Sequence, residues 1–433
     1  MMPAVPAFAG DLKSEGALGT RAIMEFQYNS INRGGSSIIE ALRNAGVQDP
    51  HRYINFYNLR SYDRINTSAI MGRAEQESGV RYEEARREYD QRYEGYDYER
   101  DQHRRGEYGR DDRHGDGYGR REEYGRGGDY GRREEYGRRD DYGSHGGSQY
   151  RRYQEAASHL SDQTWNSVAA CYMHNGPDLR SVPWTGTSED EFNAFVSEQL
   201  YIHSKVLIAD DQLVICGSAN LNDRSQLGNH DSEIAVIIED PTPVSSYMGG
   251  RPYTASAFAT SLRRQLYRKH LGLLAHQAPD AVNRNWTPVS HDHANDYDWG
   301  SSADMAVQDP LSRNFLDLWR GTARRNTEIF SRAFHPVPDD KVRTWEDYDR
   351  FFSKHFVIPG ETAEQAAAGY KAGKVDYGHV VREEFPGGVD ELKGWLAGVR
   401  GNLVEMPLQF LIDVDDIAED GLALNSLTDE LYT

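Results

Sequence analysis

Apolar positions along this chain fall into short periodic runs separated by polar stretches, and the runs differ in period. In residues 36–46 (SSIIEALRNAG), Ile38, Ile39 and Leu42 recur at helical spacing. Ser37 stands in front of them, Glu40 lies three residues after it and Gly46 closes the segment, which predicts a capped amphipathic helix. Residues 52–62 (RYINFYNLRSY) alternate and are rich in aromatic and β-branched side chains, as a partly buried strand requires. Three further apolar runs, 201–210 (YIHSKVLIAD), 212–220 (QLVICGSAN) and 233–240 (EIAVIIED), are separated by turn-forming pairs such as Asp210-Asp211 and read as sheet strands. Residues 256–270 set Phe258, Leu262 and Leu266 four apart beside Arg263, Arg264, Arg268 and Lys269, a helix with one core face and a basic, solvated one. Residues 278–307 lack a clear period and read as a long surface loop. Helical spacing returns at Leu311, with Phe315, Leu318, Trp319, Ile329 and Phe330 predicting one or two helices before the turn HPVPDD. Residues 391–410 read as a helix followed by an extended piece.

Between Arg81 and His159 there is no Val, Ile, Leu, Met, Phe or Trp. Tyr, Gly, Arg and acids recur instead, and the octamer GRREEYGR occurs at Gly119–Arg126 and again at Gly131–Arg138. A segment without apolar side chains cannot offset the entropy of ordering it, so an insert that is mostly disordered is expected over 74–158, with its first part, from Met71 to about Tyr98, helical. The expected organisation is therefore residues 1–73, the insert 74–158, and 159–433, in an α/β fold with a layered mixed β-sheet flanked by helices.

Composition narrows the function classes. The 49 basic and 69 acidic residues give a formal charge of −20, which argues against general attraction to nucleic acid. Two cysteines, Cys171 and Cys216, cannot form a disulfide framework and read as reduced thiols in a cytoplasmic protein, Cys216 as a small buried hydrophobe within its strand. The first residues lack the basic and apolar regions of a secretory signal, and no run approaches the length of a membrane helix.

The chemistry lies in the strand region. His203 and Lys205, two apart in an expected strand, leave the same face of the sheet. Ser218 and Asn220 repeat that spacing at the end of the next strand. If the two strands are neighbours, an imidazole, an ammonium, a hydroxyl and an amide converge on one point, which suits a phosphate or a phosphoryl transition state. Glu233, opening the third strand, is placed to accept from the His203 ring and fix its tautomer. A lone His near a Lys is ordinarily structural; the combination is not ordinary. His203, Lys205, Asp210, Gly217, Ser218 and Asn220 satisfy H-x-K-x4-D-x6-G-S-x-N in full. Asp210 has its own bland reading as a turn residue, since Asp is favoured there and its parity differs from that of His203.

That pattern is the signature of the phospholipase D superfamily, and its continuation LNDRSQLGNHDSE resembles that of fungal phosphatidylcholine-hydrolysing members. AFAGDL, QYNSINRGGSSIIEAL and YINFYNLR resemble the opening of their second catalytic half. SLRRQLYRKHLG, LVEMPLQFL and the terminal ELYT resemble its later parts. The resemblance implies one half of a two-lobed enzyme and a ping-pong phosphodiesterase reaction yielding phosphatidate and choline. In that chemistry the histidine of one motif attacks phosphorus and that of the other protonates the leaving group. His203 would be the general acid, Lys205 and Asn220 would bind phosphate and Ser218 would support them, with no metal and no cofactor.

None of the other fourteen histidines is followed by Lys two positions on, and the HDH cluster His291–His293 lacks the supporting residues. The chain is therefore expected to supply half a site, completed by a separate first half or by a second copy, as the truncated reading of a longer gene or as a homodimer. It is expected in the cytoplasm, peripherally associated with a phospholipid membrane surface, with no nucleic-acid partner. Other readings remain open at this point: a nuclease or phospholipid synthase of the same superfamily, or a silent scaffold in which the Tyr/Arg/Gly insert makes the contacts. Arg33-Gly34-Gly35 reads as a turn before its helix.

Overall fold

The computed structural model describes residues 1–6, 12–13, 17–64, 70–82, 84–85, 88, 149–160, 179–181, 183–184, 186–274, 299–356 and 374–418. In chain order the elements are α1 (Leu18–Ile31), α2 (Ile38–Asn44), β1 (Tyr57–Arg64), α3 (Ile70–Ser78), α4 (Gln149–Ser158), α5 (Ser188–Ala194), β2 (Phe195–Gln199), β3 (Lys205–Ala209), β4 (Leu213–Gly217), α6 (Asp223–Gln226), β5 (Ala235–Glu239), β6 (Pro243–Met248), β7 (Arg251–Ser256), α7 (Ala257–His270), α8 (Ser302–Val307), α9 (Arg313–Phe334), α10 (Trp345–His355), α11 (Val389–Leu396) and β8 (Leu403–Glu405). The chain divides into two units, residues 1–65 with 164–433, and residues 66–163.

The larger unit is α/β, with helices flanking its strands. The strands are divided among three small antiparallel sheets, ordered β2-β1-β8, β3-β4-β5 and β6-β7. Local signals account for several boundaries. Ser37 caps α2 by accepting from Glu40 N–H, and the Arg33-Gly34-Gly35 turn before it holds Gly34 at φ +82°. β1 begins at Tyr57, later than its alternation predicts, because residues 50–52 form a 3₁₀ turn led by Pro50. The apolar pattern after Leu311 forms one helix of 22 residues, with Ser312 capping Phe315 N–H and His335 closing it at φ +41°.

Two faces of β1 feed two cores. Tyr57 and Leu59 join Phe315, Trp319, Leu271 and Leu403, whereas Tyr62 joins Phe195, Phe330, Phe334 and Leu392. A third core gathers Met24, Tyr28 and Ile31 of α1 with Tyr348, Phe352, Phe356 and Phe410. At the end of β1 the fully buried Arg64 pairs with Glu191, which also receives Lys393.

The expectations for α7 and for the loop before Val307 need correction. Arg263, Arg264 and Arg268 are buried, while Phe258, Leu262 and Leu266 are only half-buried. Two of these arginines face carboxylates brought by other elements: Arg263 forks Asp211, and Asp304 of α8 takes Arg264 at 3.1 Å. Pairing inside the fold, not solvation, satisfies them. The same Asp304 lies in a helix begun by Ser301, so residues 302–307 are helical and the unstructured reading fails there; residues 278–298 lie outside the described ones. Cys216 is exposed, because the face of β4 that carries it is not covered at that end, and Cys171 lies outside the described residues.

In the smaller unit α3 ends at Ser78, where Gly79 turns at φ +65°, so the helix expected through Tyr98 is interrupted. α3 and α4 pack together. Arg152 donates to Ser78 O at 2.6 Å, Tyr150 N–H to Glu88 at 2.9 Å, and the Tyr82 and Tyr153 rings meet at 5.7 Å. The repeats between them lie outside the described residues.

Candidate active site

The hairpin β3–β4 carries the motif. Its pairing sets Lys205 opposite Gly217 and Ala209 opposite Leu213, and β5 continues the ladder with Ala235 opposite Gly217. The strands are therefore neighbours. Lys205, Gly217 and the residues flanking them, Ser218 and Ile234, meet at one end of the sheet. His203 and Asn220 lie just outside the strand ends; β3 begins at Lys205, so His203 precedes the strand rather than sitting within it.

Each side chain has a distinct setting. His203 is exposed and its ring stacks on Tyr201, centroids 5.9 Å apart at 27°. Lys205 curls back, its Nζ donating to His203 O at 2.6 Å, which joins the two motif residues through the backbone. Ser218 donates its hydroxyl to Glu233 and accepts from Ile234 N–H at 3.0 Å, while its own N–H meets Ile234 O at 2.9 Å. Glu233 thus holds Ser218 in this structure. Asn220 is exposed and its carbonyl accepts from Gln226 at 2.8 Å.

The motif glycine has a steric reason. A Cβ at Gly217 would stand 2.7 Å from Ile234 O and 2.9 Å from the Ala235 Cβ, so any side chain would push β5 away from β4. Beyond Asn220 the backbone is fastened down. Asn222 caps α6, Arg224 grips Asp231 with two nitrogens at 2.7–2.8 Å, and Ser30 of α1 donates to Asp223 at 2.6 Å.

Asp210 is not with the others. It is exposed, and with Asp211 it begins the three-residue connection 210–212 at the far end of the hairpin, at φ +51° and +54°. Five residue steps along the strand separate it from Lys205, roughly 17 Å at the ordinary rise. The positional reading as a turn residue therefore describes its setting. What periodicity could not reveal is Asp211, side chain 1% exposed, forked by Arg263 at 2.6 and 2.7 Å.

A cavity of about 750 Å³ lies elsewhere, between β1 and α9, lined among others by Asn58, Arg60, Arg324 and Trp395; none of the six predicted residues lines it. The motif end of the sheet is an open surface. Apolar side chains around it are exposed: Leu207, Val236 and Ile237 at 53%, 60% and 63%, with Ile234 at 78%. Such a row, apolar on both faces of the strands, is the pattern of a sheet meant to be covered.

Comparison with known proteins bears on this region. The sequence model of the phospholipase D family matches residues 177–341, a span that contains all six predicted positions. This segment is similar to the phospholipase D superfamily. Phospholipase D1 of Cricetulus griseus is 40% identical over 196 residues, 45% of this chain and 15% of that protein. Phospholipase D zeta 2 of Arabidopsis thaliana is 33% identical over 232 residues, 52% of this chain and 18% of the relative. Phospholipase D zeta 1 of the same plant is 24% identical over 416 residues, 96% of this chain and 24% of its own length. The chain thus spans less than a quarter of the phospholipase D relatives it matches. No described helix is long and apolar enough to cross a membrane.

Proposed function

We propose that this chain supplies the second-motif half of a phosphodiesterase of the phospholipase D type, which hydrolyses phosphatidylcholine to phosphatidate and choline at a phospholipid surface, as a cytoplasmic, peripherally associated protein. The nucleophilic imidazole belongs to a separate first half. It bonds to phosphorus while protonated His203 gives its proton to the choline oxygen as the P–O bond breaks. His203, now neutral, takes a proton from water, whose oxygen displaces the phosphohistidine and releases phosphatidate. Lys205 and Asn220 bind phosphoryl oxygens, and Ser218, oriented by Glu233, supports them.

One observation carries the reading: the β3–β4 pairing that gathers His203, Lys205, Ser218 and Asn220 at one end of a sheet, inside the span matched by the family. One imidazole cannot be bonded to phosphorus and protonate the leaving group in the same step, and the sequence holds a single H-x-K. The exposed Leu207 and Ile237, flanking the half-buried Ile215 in one row beside the motif, support a docking face for the complementary half.

The test is choline release from phosphatidylcholine vesicles by the chain over a concentration series, with and without a first catalytic half, alongside His203→Ala. Release that needs the added half and disappears in His203→Ala is the expected result. Release by the chain alone, rising with the square of its concentration, would keep the chemistry and assign the docking face to a second copy. No release in any combination would overturn the reading.

A further inference from the structure

The turn at the far end of the motif hairpin contains two adjacent acids with opposite fates. Asp210 and Asp211 both take the left-handed conformation, which Asp tolerates, and Gln212 N–H closes a tight turn on Ala209 O at 2.9 Å within the three-residue connection 210–212. The Asp210 carboxylate is exposed to solvent. Asp211, by contrast, is buried, and both its oxygens accept from Arg263.

Arg263 reaches further. Its side chain is 5% exposed and it also donates to the carbonyls of Val307 at 2.7 Å and Gln308 at 3.0 Å. The turn backbone is held by the adjoining strand: Ser256 N–H donates to Asp211 O at 2.8 Å, Ser256 Oγ to Gln212 O at 3.1 Å and Tyr253 OH to Asp210 O at 2.8 Å. Ile208, Val214 and Ile238 share one face of the sheet near the turn; Val214 is 1% exposed and its two neighbours are half-buried. Toward the motif end the exposed Val206 and Val236 leave that same face uncovered. The hairpin is gripped at the turn, and β3 carries Lys205 at its other end.

We propose that Asp211 and Arg263 form the positioning pair of this site, and that Asp210, the acid at the motif's own third letter, serves only as a turn former. The inference rests on the reading of His203 and Lys205 as the reacting end. Its size follows from leverage. A hairpin freed to tilt by about 4° at the turn moves Lys205, roughly 17 Å away, by about 1 Å, and a displacement of that order at a reacting group can cost on the order of 10²-fold in rate. An amide at position 211 keeps one hydrogen bond of the fork and loses the charge-assisted second.

The experiment compares Asp210→Asn, Asp211→Asn and Arg263→Lys in the chain combined with a first catalytic half, reading kcat and KM for choline release, with amide hydrogen exchange of the β3–β4 ladder measured on the chain by NMR. Asp210→Asn is expected to stay within about threefold of the parent, because Asn accepts the same left-handed turn. Asp211→Asn is expected to lose about 10- to 100-fold in kcat with KM within about threefold, and to speed exchange along β3 and β4. Arg263→Lys keeps the charge while losing the fork, so it is expected to remain folded and fall between them. Equal kcat for the Asp210 and Asp211 variants, or a loss carried entirely by KM, would overturn the proposal. If the parent releases no choline, the exchange data decide it: faster exchange at Leu207 and Ile215, which face each other across β3 and β4, in Asp211→Asn but not in Asp210→Asn sustains the clamp, and identical exchange in the two refutes it.

Discussion

Replacing Gly217 by Ala tests whether the motif glycine is held by contact or by backbone freedom. Gly217 does not adopt a positive φ, so its need for a hydrogen is steric. The added methyl would meet Ile234 O at 2.7 Å and the Ala235 Cβ at 2.9 Å. Carbon atoms in good contact stand about 3.5 Å or more apart, so β5 must withdraw by roughly 0.6 Å at the point where its ladder with β4 closes. Neither obstacle is the end of a flexible side chain, so the shift falls on the backbone bonds that join Ser218 to Ile234. Overpacking of this kind costs about 1–3 kcal/mol, which lowers the melting temperature of a domain of this size by roughly 1–4 °C. A second glycine provides the opposite sign. Gly321 lies inside α9, exposed, with nothing within 4 Å of a Cβ, and Gly321→Ala is expected to add about 0.5–1 kcal/mol. Calorimetric melting of the two variants beside the parent is the assay. A Gly217→Ala protein that melts at or above the parent would refute the steric reasoning.

Three further outcomes follow from the described contacts. His270 and His355 are both held down to about 4, first by burial, so they stay neutral in the fold while an unfolded chain takes up protons near 6.5. Each contributes stability that is full above pH 6.5 and is lost toward pH 4, up to about 3 kcal/mol apiece. Burial pushes Asp63 up to about 6 and Glu25 up to about 7, which works in the opposite direction over part of the same range. Guanidinium midpoints between pH 4 and 7.5 should therefore change little in the parent and rise toward acid in a His270→Gln, His355→Gln double variant; a parent-like profile in that variant would contradict the assignment. Ile237→Ser removes an exposed apolar group from the uncovered sheet face, so it should leave melting within about 1 kcal/mol while weakening activation by the first half at least severalfold, measured as the concentration for half-maximal choline release. Removing residues 91–148 and joining the ends with a short Gly/Ser link should leave the melting temperature unchanged, because Tyr150 already bonds to Glu88; a large drop would give the insert a structural role.

Much of the site was legible because its signals are local. The apolar runs around Val206, Val214 and Val236 needed only a period to be read as strands, and the spacing from His203 to Asn220 brought its residues together once two neighbouring strands paired. Ser37 before Ile38 marked its helix because a cap acts on the next turn. Glu233 was assigned to the correct neighbourhood, yet its partner here is Ser218, since two groups beyond strand ends are oriented by loop geometry that spacing does not encode. The exposure of Cys216 escaped for a similar reason: membership of a strand does not say whether anything lies over that strand.

The basic stripe on α7 marks the division most clearly. Sequence alone determined the strands, the single motif, the apolar-free insert and the helical character of residues 257–270, because each depends on residues within a few positions of one another. Whether Arg263 faces water or a carboxylate depends on Asp211, 52 residues earlier in the chain, and on the α8 segment that closes over both. Only the tertiary structure decided that, because the free energy of a buried charge is set by the partner that arrives through space and not by the neighbours along the chain.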